Sequence, residues 1–231
     1  MGGSTLQTRE SGAIMPDTAH IEGGRDSRLR THSSMKKKPL LQINAFDAGL
    51  IALGAALNVS IGYLVSLLKL PIYLDSIGTV FVSALCGWQY GVIAGLSAVI
   101  VLAITAIPTI LAYGGTAVVI ALLSAALVRF GFLKNLRATI IGGLVIGLAS
   151  AAASAPVTTL VFGGVSIAGS DAITALFMAS GFSLWQSVLL GKILVDPLDK
   201  LFTALICYSL VQSLPSRMLE RLSKRRTSIG S

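Results

Sequence analysis

Residues 45–68 read AFDAGLIALGAALNVSIGYLVSLL, an apolar run whose one charge, Asp47, lies near its start. At 1.5 Å per residue, a helix of that length reaches about 36 Å. That is enough to cross the ~30 Å hydrocarbon core of a bilayer with some tilt. The run is apolar on every face, as a membrane span is and a surface helix is not. Further apolar runs follow at 76–87, 92–111, 116–130, 138–162 and 198–214, the first of them short. Six spans are expected.

The whole chain agrees with that reading. Of its 231 residues, 54% are apolar and 12% charged, against roughly 25% charged in soluble domains. Mean hydropathy is +0.81. A soluble single-core enzyme is excluded. The net charge of +8 does not mark a nucleic-acid face, because of where it sits. Residues 39–215 hold six basic and five acidic side chains, and the excess lies in Lys36, Lys37, Lys38, Arg217, Arg221, Lys224, Arg225 and Arg226. Basic ends around a nearly neutral middle describe membrane topology.

The polar residues 1–34 are read as a disordered leader, with Met35 and its three lysines as the natural start. The expected layout is a leader over 1–38, a membrane domain over 39–217 and a basic cytoplasmic tail over 218–231. Six crossings put both termini on one side, together with Arg129, Lys134 and Arg137. The opposite loops then carry Lys69, Asp75 and Asp171, the positive-inside pattern with cytoplasmic termini. Residues 163–195, apolar but broken by Gly181, Gln186, Gly191 and Lys192, are read as an external loop with helical or re-entrant parts.

Two features point to function. Ala48, Ala52 and Ala56 recur every fourth residue on the first span. Such a stripe permits close helix approach, either to another span of this chain or to a separate partner. A second stripe, Gly143, Gly147 and Ala151, is read as internal packing. On the outer side the topology gathers Tyr73, Asp75, Tyr113, Trp185, Gln186, Lys192 and Asp196, with Asp199 and Lys200. Ionisable groups near lipid line cavities or pair with one another. An aromatic rim with a few polar groups suits a small heteroaromatic ligand, although each residue alone also fits an interfacial belt or a helix start. Asn58 is expected to bond across helices or to face a cavity.

No catalytic motif emerges. There is no Gly-rich phosphate loop, His20 and His32 lie in the leader, and Cys86 and Cys207 read as small buried hydrophobes. The chain is therefore expected to be no enzyme, with no cofactor and no metal.

The segments Leu67-Leu-Lys-Leu-Pro-Ile-Tyr-Leu-Asp-Ser-Ile-Gly-Thr79 and Asp196-Pro-Leu-Asp-Lys200, the latter read as opening a span that ends at Leu214-Pro215, carry a resemblance over residues 40–217. With the alanine stripe, they resemble the substrate-binding S components of energy-coupling factor (ECF) transporters. That resemblance implies an all-α bundle of six transmembrane helices in a bacterial plasma membrane, binding a water-soluble vitamin or precursor from outside. Its implied partners are a transmembrane coupling subunit and two ATPase subunits that supply the energy. The family's Ala-x-x-x-Ala docking motif maps onto Ala52 and Ala56, with Ala48 one turn earlier. Its gating loop maps onto residues 69–75. Residues 1–34 have no counterpart. A hydroxymethylpyrimidine- or pyridoxine-like ligand is expected. Cobalamin or another vitamin, a ligand-sensing module and a purely structural membrane protein remain as alternatives.

Overall fold

The computed structural model describes residues 43–106, 108–165, 171–215 and 217–219. The expected leader, and the basic tail beyond residue 219, lie outside the described residues. Among the described residues the chain is all helical. Seven α-helices follow in order: α1 (Ala45–Leu67), α2 (Ile77–Cys86), α3 (Trp88–Thr105), α4 (Gly114–Leu127), α5 (Leu136–Leu160), α6 (Asp171–Ala179) and α7 (Leu184–Gln212). Short 3₁₀ turns, Pro108–Tyr113 and Val128–Phe130, flank α4.

Asp47 is not a charge left in lipid. Its carboxylate accepts from the Asn44 amide at 3.2 Å, while Asn44 Oδ1 accepts from the Asp47 amide at 3.1 Å. This reciprocal cap satisfies two of the donors that a helix start leaves open. Among the described residues, four stretches are long and apolar enough to cross a membrane: α1, α3, Pro108–Phe130 and α5. Their outward faces carry large apolar side chains, with Ile104 at 80% and Leu160 at 82% exposure, surface that lipid solvates and water does not.

α2 spans only about 15 Å at helical rise, and Ile77 through Leu85 are all buried. It is a plug at the centre of the bundle. Ser76, at its N-cap, makes no capping bond. Asn58 of α1 supplies one instead, its Oδ1 accepting from the amides of Gly78 at 2.6 Å and Thr79 at 3.4 Å. The Asn58 amide nitrogen donates to Thr79 Oγ1 at 2.8 Å. The two backbones approach so closely that a Cβ on Gly78 would collide with the carbonyl of Gly54.

The region read as an external loop over 163–195 takes a different form. From Leu184 onward it belongs to α7, one continuous 29-residue helix that carries Lys192, Asp196, Asp199 and Lys200 through to Gln212. The sequence Asp196-Pro-Leu-Asp-Lys200 therefore sits inside a helix and does not open one. Pro197 removes a single intrahelical bond, and the helix survives because α5 packs along it. Gly143 faces Leu201 and Ala204, Gly147 faces Pro197, and Ala151 is fully buried. The second small-residue stripe thus packs internally.

Gly78→Ala is expected to lower stability by about 1–3 kcal/mol, since backbone rather than a movable side chain obstructs the new methyl. Gly49→Ala, with nothing within 4 Å of the new carbon, is expected to be neutral or stabilising. Thermal unfolding of both variants in detergent checks the contrast.

Candidate functional site

A cavity of about 250 Å³ lies at one end of the bundle. The C-terminal halves of α1 and α3, the start of α4, the 68–76 loop and the inward faces of α5 and α7 line it. Antiparallel succession of the helices brings these segments together at the same end.

Its buried charge comes from α7, and the half-exposed Asp75 of the loop adds one carboxylate at the rim. Lys192, Asp196 and Lys200 are spaced by four residues and share one helix face. They are 6%, 2% and 3% exposed, while Ile193, Leu194, Leu198 and Phe202 point outward. The helix is amphipathic in reverse, with ions inside and hydrocarbon outside. Each ion is answered by a partner from another element, as burial requires.

Lys192 Nζ donates to the Tyr73 hydroxyl at 2.9 Å. It also stands 4.7 Å from the Tyr73 ring centroid and 5.7 Å from that of Tyr113, inside the ~6 Å reach of cation–π attraction. Tyr113 is fixed in turn by a 2.8 Å bond between its hydroxyl and Thr158 Oγ1, and by stacking on Phe162 at 5.2 Å. Asp196 Oδ2 accepts from Ser154 at 3.0 Å and Ser150 at 3.4 Å. Asp196 Oδ1 has no hydrogen-bond partner.

A second group of ions holds the loop. Asp199 Oδ1 accepts from the backbone amides of Tyr73 at 2.8 Å and Leu74 at 2.7 Å. Leu74 has φ +50°, a backbone state that costs a side-chain-bearing residue about 1–2 kcal/mol. Charge-assisted bonds of this kind contribute about 1.5–3 kcal/mol each, enough to hold it. Lys200 bridges Asp199 and Asp75, the latter at 3.5 Å. The 68–76 loop is thereby clamped onto α7 beside the cavity.

The cavity brings together Tyr73, Asp75, Tyr113, Lys192 and Asp196 from the expected ligand residues. It does not include Trp185 or Gln186. Trp185 is 44% exposed, and Gln186 completes a cap at the start of α7, its Oε1 accepting from the Ser183 amide at 3.1 Å. The sequence reading groups both with the cavity residues as parts of a loop, whereas they lie in the first turn of one continuous helix. Ala48, Ala52 and Ala56 are all exposed on α1, so among the described residues no other element covers that stripe.

Several lining residues escaped the sequence reading: Ser76, Thr79, Thr116, Ser150 and Ser154. The i, i+4 pair Ser150 and Ser154 inside an apolar run was the one available signal, since it marks a single polar stripe. Among the described residues no group of three or more His, Cys, Asp or Glu could hold a metal ion.

Compared with protein-family models, curated proteins and solved structures, the chain gives no significant match.

Lys200→Met strands the carboxylate of Asp199 in the interior and is expected to cost about 3–5 kcal/mol. Replacing both partners, Asp199→Asn with Lys200→Gln, is expected to recover part of that loss. Thermal unfolding of the single and double variants in detergent measures the difference.

Proposed function

We propose that this chain is the substrate-binding membrane subunit of an importer of the energy-coupling-factor type. It takes a small water-soluble vitamin or precursor from outside and delivers it inward with a coupling subunit and two ATPases. The observation that carries the reading is the cavity. It combines aromatic surface from Tyr73 and Tyr113 with buried, partnered ions on α7 and a loop clamped beside it. A structural membrane protein has no reason to bear the cost of burying three charges of one helix, Lys192, Asp196 and Lys200, around a void.

The proposed topology has six membrane segments with both termini in the cytoplasm of a bacterial cell. α2 completes the count as a short central segment and α7 as a full crossing, its ions turned inward. The cavity then faces outward, and Arg129, Lys134 and Arg137 face the cytoplasm. A volume of about 250 Å³ lies just under the ~300–1,000 Å³ of drug-sized sites. It supports a single-ring ligand such as hydroxymethylpyrimidine or pyridoxine over cobalamin.

The exposed stripe Ala48, Ala52 and Ala56 is the proposed docking face for the coupling subunit, since small side chains let a partner helix approach closely. Ala52→Trp with Ala56→Trp is expected to abolish copurification of the coupling and ATPase subunits while ligand affinity stays within about twofold. Pull-down and titration calorimetry on the same preparation test both halves. Retention of the complex would remove the docking assignment. Failure of every vitamin in a panel to bind the folded chain would remove the transport reading.

A further inference from the structure

Three oxygen atoms on residues lining the cavity are buried without a hydrogen-bond partner: Ser76 Oγ, Thr116 Oγ1 and Asp196 Oδ1. They belong to three different elements, and the residues that carry them line one void. A buried polar atom left unpaired carries a desolvation penalty, and three around one cavity point to a polar occupant. The demand differs among them. A hydroxyl can donate or accept, but a carboxylate oxygen only accepts. Asp196 therefore asks for a donor.

Lys192 makes the complementary request. Its ammonium carries three donors, and one is spent on the Tyr73 hydroxyl. Lys192 and Asp196 stand four residues apart on α7, which sets their Cβ atoms about 5–6 Å from each other. That is the scale of two neighbouring positions and their substituents on a six-membered ring. The two charges cancel, and Lys200 answers the buried Asp199, while the second carboxylate on it, Asp75, is half-exposed to solvent. A formally charged ligand would leave one ion unmatched in a low-dielectric site.

Resting on the ligand-binding reading above, we infer that Lys192 and Asp196 together read one edge of an uncharged, single-ring nitrogen heterocycle. Asp196 accepts from an amine or ring N–H, and Lys192 donates to the adjacent ring nitrogen or oxygen. Tyr113, held by Thr158 and Phe162, supplies aromatic surface, and Ser76 and Thr116 are free to bond a hydroxylated substituent. Aminopyrimidines meet all of these demands. Ring carboxylates do not, because their charge falls beside Asp196.

The test is titration calorimetry on the full chain in detergent with three probes: hydroxymethylpyrimidine, its analogue with the exocyclic amine replaced by oxo, and nicotinate. The amine is expected to bind, with the other two weaker by about a hundredfold or more, the penalty for leaving a buried acceptor unpaired. Asp196→Asn is expected to erase the preference for amine over oxo, with an unchanged unfolding midpoint as the folding control. The three-probe comparison on the unaltered chain stands even if that variant fails to fold. Equal affinity for amine and oxo forms, or tight binding of nicotinate, would overturn the edge assignment and leave vitamin binding intact. So would tight binding of some other vitamin with none of the three probes bound. Absence of binding by the probes and by a wider vitamin panel would overturn the ligand-binding reading itself.

Discussion

Four ionisable side chains within nine residues of one helix, in a chain whose outer surface is hydrocarbon, set the terms for this structure. Lys192, Asp196, Asp199 and Lys200 have no water to solvate them at 6%, 2%, 0% and 3% exposure. Other elements must supply their partners. α5 offers Ser150 and Ser154, the 68–76 loop offers Tyr73, Leu74 and Asp75, and the geometry of the bundle follows from bringing them within reach. The small residues Gly143, Gly147 and Ala151 make this possible by letting α5 lie directly against α7. A larger side chain at Gly147 would push the serines away from Asp196 and expose the ions to lipid.

Fold and site are consequently the same set of bonds. Tyr73 shows this most directly. Its backbone amide donates to Asp199 and its hydroxyl accepts from Lys192, so one residue ties the loop to α7 and also presents a ring to the cavity. Asn58 has a parallel role at the opposite wall. It caps α2 through Gly78 and lines the cavity as well. Because buried ions are costly unless fully paired, these contacts hold the cavity's walls in a defined arrangement. A site that reads the edge of a small ring needs that rigidity.

Much of this was legible in the chain itself. The apolar runs at 45–68, 76–87 and 138–162 became α1, α2 and α5 nearly in register, because continuous hydropathy is a strong signal when lipid is the solvent. The start of α7 was hidden for the opposite reason. Its ions lower the local hydropathy, and what compensates them lies about 120 residues away in sequence, as with Lys192 and Tyr73 or Asp199 and Leu74. No local window contains both halves of such a pair. Reading the same stretch as a loop also groups Trp185 and Gln186 with the cavity residues, and neither lines the cavity. Charge and aromaticity single out Lys192, Asp196, Tyr73 and Tyr113, which line the cavity, whereas Ser76, Thr116, Ser150 and Ser154 give little signal, because hydroxyls in apolar helices usually bond their own backbone.

The most direct check is which side of the membrane the cavity faces. Single cysteines placed at Leu70, in the clamped loop, and at Lys134, between α4 and α5, can be challenged with a membrane-impermeant thiol reagent in intact cells, with Cys86 and Cys207 replaced. Both positions are exposed in the structure. An outward cavity requires rapid labelling at position 70, and labelling at 134 only after permeabilisation. Labelling at 134 in intact cells, with position 70 protected, would invert the bundle and remove the outward-facing binding site.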